Sequence, residues 1–276
     1  DPRRFTDYCD HAHCVDKGLE VYGHEYAMHF PFHSWPAGRN KKLSPNHEKI
    51  LDLGGQMGAY NGWERANWFA KSGDDLSELS TQTWSRFGPW ETRVREECEA
   101  VRDSVGVLDL PGFSRFKLSG IGCSSWLDAL IVGSLPKIGK MNLAYFADHR
   151  GRVLTEMSLM RYAQDEYILI TAASAQWHDY EFLKGNLPDK AEFCLVDVSN
   201  EFSTLIVSGP KSRTLLKKLT TADLEKPWLS LQKSIIDTLD VSLARVSFAG
   251  ELGWEIHAEN ENIKLIYQKI LELGAK

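Results

Sequence analysis

Two glutamates stand where neighbouring residues predict an apolar surface. Glu156 interrupts the run VLTEMSLM, and Glu255 sits between Trp254 and Ile256 in RVSFAGELGWEIH. Alternate residues of a strand share a face. Glu156 then shares one with Leu154 and Ser158, and Glu255 shares one with Gly253 and His257. A carboxylate among apolar neighbours is costly unless it is paired or used. The structural alternatives are a salt bridge from Glu156 to Arg152 or Arg161, and an edge-strand Glu255 facing water. Phe248 is expected on a strand near Glu255. Two acids and an aromatic face suit a flat heterocycle, which could stack on the ring and donate a pair of N–H groups to a carboxylate. Glu251, inside the bend itself, is expected to support the turn.

Histidines and cysteines offer a second chemistry. Six of the nine histidines (His11, His13, His24, His29, His33 and His47) fall in the first 85 residues. CDHAHC at Cys9–Cys14 lacks the second, distant ligand pair of zinc ribbons and fingers. HEYAMH at His24–His29 spaces its histidines five apart, whereas the zinc-protease helix needs i and i+4. These residues read as satisfied polar groups in an aromatic-rich surface, and no metal site is expected. The five cysteines are odd in number and scattered, which predicts free thiols in a reducing compartment. There is no P-loop and no G-x-S-x-G. Gly120-Ile121-Gly122 lacks the rest of a dinucleotide fingerprint.

The chain of 276 residues is long enough for one large or two modest domains. Its 43% hydrophobic and 25% charged residues fit a globular protein, and its net charge of −6 argues against nucleic acid. No run has the length of a membrane span, and no signal-peptide pattern opens the chain. It begins at Asp1 and stops just after a helical pattern, so a piece of a longer protein is expected.

Residues 1–85 read as extended and loop-rich, with Pro31, Pro36 and Pro45 breaking any long helix. From Trp90 the pattern changes. ETRVREECEAVRDSVGVLDL reads as helical, with Val94, Cys98, Val101 and Val105 on one face. SRFKLSG reads as a strand and CSSWLDALIV as a helix. Three strands follow, with turns at Asp148–Gly151 and Ala163–Glu166. SAQWHDYEFLKGNL is a helix, STLIVSGPKSRTLLKKL a strand then a helix, and VSLARVSFAG with LGWEIHAE a strand pair. NENIKLIYQKILELG closes as an amphipathic helix capped by Gly274. Turns this short join antiparallel strands, so the fold class is α+β, with mostly antiparallel sheets and packed helices.

From Trp90 onward the chain resembles the aminomethyltransferase fold, as in the T-protein of the glycine cleavage system. VGVLDLPGFSRFKLSG, GRVLTEMSL, YILITAAS, STLIVSGPKSRTLL and above all RVSFAGELGWEIH carry the likeness. It looks closest to the folate-binding half of dimethylglycine and sarcosine dehydrogenases. EVYGHEYAMHFPFHSWPAGR and NGWERANWF resemble the stretch that joins the FAD-dependent part of those enzymes to their folate part. The resemblance implies an oxidoreductase tail over residues 1–85 and a folate-binding domain over residues 86–276, with the FAD-binding part and the closing barrel lying beyond the two ends.

The resemblance also implies roles. Glu156, where the family usually has aspartate, would take or hold a proton beside the reactive nitrogens of tetrahydrofolate. Ser158 matches a pocket position, and Ile170 and Ala172 a wall where the family often has asparagine at the second. Phe248, usually tyrosine, would pack on the pterin, and Glu255 would accept its N–H groups. The implied function is transfer of a one-carbon unit from an N-methyl amine, such as dimethylglycine or sarcosine, to tetrahydrofolate, with FAD in the part outside this chain. The alternatives are a stand-alone methyl- or aminomethyltransferase and a non-catalytic folate-binding module. The expected partners are the amine and folate, with neither nucleic acid nor membrane. The expected compartment is the cytoplasm, with the mitochondrial matrix as alternative.

Overall fold

The computed structural model describes residues 8–30, 33, 35–76, 84 and 87–276. Pro31 and the expected boundary at residues 85 and 86 lie outside the described residues. The chain divides into two compact units, Asp1–Glu99 and Ala100–Lys276.

The first unit is more regular than its sequence predicts. It holds the helices α1 (His11–Gly23) and α2 (His47–Asp52) and the hairpin β1 (Gly55–Tyr60) and β2 (Trp63–Phe69). Helix α1 corrects the expectation of an extended segment. None of its residues is buried, so it leaves no apolar periodicity to read. Local bonds hold it instead. Asp10 caps its start by accepting from the His13 N–H at 2.7 Å, and Lys17 pairs with Glu20 one turn on. The hairpin turns on Asn61-Gly62, both at positive φ (50° and 85°), as a two-residue antiparallel turn requires. The buried Glu64 on β2 accepts from the Arg39 guanidinium and the Asn40 N–H. Asp74 takes both arms of Arg93 at 2.9 and 2.6 Å. That pairing holds its carboxyl well down, to about 2. Helix α3 (Trp90–Asp103) begins in this unit and runs past its end. It stops before Val105, which is buried beyond the helix rather than on its face.

The second unit is built on two antiparallel sheets, as expected for an α+β fold. In the larger sheet the strands lie in the order β5-β6-β7-β8-β4-β9. They are β4 (Phe113–Gly120), β5 (Ile131–Val132), β6 (Lys140–Ala147), β7 (Val153–Ala163), β8 (Glu166–Ala172) and β9 (Phe193–Asp197). In the smaller sheet the order is β11-β12-β13-β10-β3. Its members are β3 (Gly106–Asp109), β10 (Phe202–Ser208), β11 (Leu231–Ile236), β12 (Leu239–Ala244) and β13 (Gly253–Glu259). The two sheets are stitched at one end, where Met141 donates to the Leu229 carbonyl and Leu231 to that of Gly139.

Alternation sorts the large sheet into two faces. Met157, Leu159, Tyr167, Leu169, Phe116 and Leu118 point one way and form the main core with Leu127 of α4 (Cys123–Leu130) and Leu183 of α5 (Gln176–Gly185). Asp165 caps α4 through the Ser124 N–H at 3.0 Å. Burial first, and the Asp165 charge second, push the Cys123 thiol up to about 12. All five cysteines are free. The helix α7 (Asn260–Glu272) buries Ile263, Ile266, Tyr267 and Ile270, and the one-turn helix α6 (Ser212–Leu216) follows β10. The opposite face of the large sheet meets the small one through Met141 and Met160 against Leu231 and Ala244. No described helix is long and apolar enough to cross a membrane.

Leu169 is wholly buried on β8. Leu169→Ala is expected to lower unfolding stability by about 2–5 kcal/mol, measured by denaturant titration. Leu265→Ala, on the exposed side of α7, should change it by less than about 0.5 kcal/mol. The depressed Asp74 carboxyl predicts a pH effect of known sign. Its stabilisation is complete above the unfolded value of about 3.9 and is lost as pH falls through about 2. Melting of Asp74→Asn between about pH 4 and 2 should therefore fall less steeply than that of the parent.

Candidate functional site

The cleft between the two sheets is where polar groups gather. A small cavity of about 50 Å³, partly open at its mouth, is lined by Arg115, Met160, Tyr162 and Ile168 of the large sheet, by Phe202, Ser242 and His257 of the small one, and by Val198. Arg115 is only 5% exposed. Its Nη1 donates to the Phe113 and Phe202 carbonyls, each at 3.1 Å, and its Nη2 to Thr204 Oγ1 at 2.6 Å. Burial draws the guanidinium down to about 10, while the charges of Glu255 and Asp109 act the other way. It stays protonated at neutral pH.

From Arg115 a chain of hydrogen bonds runs across β10 and β13. Thr204 lies opposite His257 in the antiparallel register, with Ser242 on the other side. Thr204 Oγ1 meets His257 Nδ1 at 2.9 Å, and His257 Nε2 meets Glu255 Oε2 at 3.0 Å. Because Thr204 accepts from Arg115, its own hydroxyl hydrogen can go to Nδ1. With its hydrogen on Nε2 the His257 ring donates to Glu255, while Arg115 Nε stays buried without a hydrogen-bond partner among the described residues. The result is a carboxylate fixed from one side. Glu255 Oε2 is held by His257, and the side chain remains 23% exposed. Tyr162 bonds the Ser242 hydroxyl, and burial pushes its phenol up to about 12.

The sequence-derived residues fall out unevenly around this frame. Glu255 is on the central strand of its sheet, not on an edge. Ser158 and Ile170 are direct cross-strand partners on the inward-facing side of the large sheet. Ala172 follows Ile170 on that side and pairs with Phe113. Glu156 lies two residues before Ser158, opposite Tyr145, and is exposed rather than buried. It has no ion-pair partner among the described residues: Arg152 goes to Asp148, and Arg161 to the carbonyls of Pro136, Ala163 and Gln164.

Phe248 corrects a larger expectation. β12 ends at Ala244, and Arg245–Leu252 form a loop instead of strand and tight turn. The Arg245 N–H donates to the Ser230 carbonyl and its own carbonyl accepts from Leu229, which carries the β11 side of the pairing one step further while the pairing with β13 stops at Ala244. The Arg245 side chain then turns back over Trp254 and donates to the Gly253 carbonyl. Phe248 is left fully exposed at the loop tip. Glu251 is half-buried inside the same loop.

Arg115, Thr204, Tyr162 and Ser242 are the site residues that sequence reasoning missed. His257 was visible as the alternate-face neighbour of Glu255. Arg115 could have been found as the one cation on SRFKLSG whose alternate-face partners are Phe113 and Lys117, but nothing local shows that it is buried.

A different cluster forms in the first unit. His24, His29 and His33 each turn a ring nitrogen toward a common point, all within 4.8 Å of one another, and among the described residues no other such group of three could hold a metal ion. The spacing argument against a single helix face holds. His24 is the residue after α1, and His29 and His33 come from the turns beyond it. Those turns, invisible to a helical spacing rule, bring the third ring in.

Comparison with known proteins places this geometry. The GCVT N-terminal domain matches residues 46–276, and the FAD dependent oxidoreductase central domain matches residues 1–44. The rat protein "Dimethylglycine dehydrogenase, mitochondrial" is 30% identical over 278 residues, covering 99% of this chain and 32% of its own. The human "Sarcosine dehydrogenase, mitochondrial" is 27% identical over 319 residues, covering 100% of this chain and 34% of its own. The chain thus spans about a third of the length of these curated relatives. The crystal structure of glycine cleavage system aminomethyltransferase T from Bartonella henselae superposes with a TM-score of 0.68 at 19% identity, over 83% of this chain and 57% of that one. At that identity the likeness is one of fold. With the match running from residue 46 to residue 276, the chain belongs to the GCVT N-terminal domain family.

Proposed function

We propose that this chain is the folate-handling portion of an FAD-dependent N-methyl amine dehydrogenase, which passes a one-carbon unit to tetrahydrofolate. The observation that carries the reading is Glu255, a carboxylate held by His257 on one oxygen and 23% exposed. The family match supports the folate part, and the oxidoreductase match over residues 1–44 favours a fused dehydrogenase over a stand-alone transferase. The relatives are named for dimethylglycine and sarcosine, both N-methyl amines, which supports that substrate class. Five free thiols support a reducing compartment, the cytoplasm or the mitochondrial matrix.

The cavity itself is smaller than a pterin, so the ring would sit at its mouth, where His257 of the lining holds the neighbouring Glu255. Bound there, tetrahydrofolate would supply N5 and N10 as one-carbon acceptors, and the FAD of the preceding part would supply the oxidation. Glu255 accepts the N–H pair of the ring edge, since each carboxylate oxygen has two acceptor positions and only one is taken by His257. Ser158, Ile170 and Ala172 would wall the site beside the cavity, on the same face of β7 and β8. Phe248, fully exposed on the Arg245–Leu252 loop, would be free to cover the ring. Glu156, exposed near the start of β7 and without an ion-pair partner among the described residues, would hold or take the proton released as the new C–N bond forms.

Calorimetry with tetrahydrofolate tests the reading on this chain and on a form extended at both ends. Glu255→Ala should weaken binding about tenfold or more, the loss of one charge-assisted pair. Glu156→Gln should leave binding within about twofold and lower turnover of the extended enzyme by about 10²-fold or more, the usual scale of a lost acid or base. Absence of binding in the extended form, or a Glu255→Ala affinity equal to that of the parent, would overturn it.

A further inference from the structure

We propose that His24, His29 and His33 form a binding site for a divalent transition-metal ion of the zinc class. Imidazole nitrogens bind zinc at about 2.0–2.1 Å, so the nitrogens of a tetrahedral site lie roughly 3.4 Å apart. The three here lie within 4.8 Å of one another, and His29 is exposed. The backbone builds the cluster. His24 follows the last turn of α1, Ala27 donates back to the His24 carbonyl, and His33 donates to the Phe30 carbonyl.

Two observations separate this cluster from a chance aromatic patch. His33 Nε2 is sealed from solvent and has no hydrogen-bond partner among the described residues. A buried ring nitrogen without a partner is destabilising, and a metal ion satisfies it. The charge around the cluster also favours a cation. Glu20, nearly buried on α1 and held by Lys17 and the Ala37 N–H, acts electrostatically on both His24 and His33.

Trp35 encloses the group. Its ring lies 5.4, 5.0 and 4.9 Å from those of His24, His29 and His33. The three protein ligands leave a fourth position, on the side of the exposed His29, for water. Among divalent ions such an all-imidazole set prefers zinc, copper and nickel over magnesium and calcium. A metal there would tie the end of α1 to the segment that follows it.

The test is a titration of the metal-free 276-residue chain with Zn²⁺ by calorimetry and with Co²⁺ by visible absorption. One equivalent is expected to bind at low-micromolar concentration or tighter, with the Co²⁺ bands of a four-coordinate site. His24→Ala and His29→Ala should each weaken it at least tenfold. His149→Ala, in the exposed turn between β6 and β7, and the pair Cys9→Ser with Cys14→Ser should leave it unchanged. His29 is exposed, so its removal spares the fold, and circular dichroism checks that. Cu²⁺ should quench tryptophan emission in the parent, and less in Trp35→Phe. No saturable one-equivalent binding, or binding that survives both histidine substitutions or is lost with the two cysteines, would overturn the proposal.

Discussion

A single buried cation governs the second unit. Arg115 is on β4 of the large sheet, but its guanidinium reaches β10 of the small one and donates to the Phe202 carbonyl and the Thr204 hydroxyl. A buried charge left without such partners is strongly destabilising. Arg115 is thus a prop that ties the two sheets together beside the cavity. Elsewhere Met141, Met160, Leu231 and Ala244 join the sheets by direct apolar contact, with Met160 reaching the cavity as well.

The prop is also a positioning device. Arg115 occupies the acceptor side of Thr204, which directs the hydroxyl hydrogen to His257 and fixes which ring nitrogen faces Glu255. The orientation of an acid at the cleft is thus set by an arginine two strands away. The large sheet serves the same end through alternation. Met157 and Leu159 anchor β7 in the helix-covered core, so Ser158 and Met160 have no choice but the other face. A slip of one residue would bury Glu156 and expel the core.

Much of this was legible in the sequence. The strands from Phe113 onward, their short turns and the helices α4, α5 and α7 follow from alternation, turn chemistry and a clear apolar stripe. The face assignments of Ser158 and Ile170 follow from the same alternation. What escaped detection shares one cause: it depends on partners far away in the chain. Arg115 looks like an ordinary polar residue until Thr204, 89 residues on, is brought to it. Arg245 looks like strand until the Ser230 carbonyl captures its N–H. Helix α1 escaped for the opposite reason, because it buries nothing and so carries no pattern at all. The histidine trio was judged on spacing along one element, and its rings meet across three.

β13 is the middle strand of five, paired along its length with β10 and in part with β12. Amides in such a strand exchange with solvent only when the whole unit opens, whereas loop amides exchange through small local fluctuations. Glu255 and Phe248 are seven positions apart and stand at the two extremes of that scale. A ligand arriving at the cleft meets one contact that is already in place and one that has still to be ordered. Under the proposed folate reading, the ordering cost of binding would fall on Arg245–Leu252, and the ring of Phe248 would settle last on arrival and lift first on departure. Residence time would then be a property of the loop, and selectivity a property of the strand.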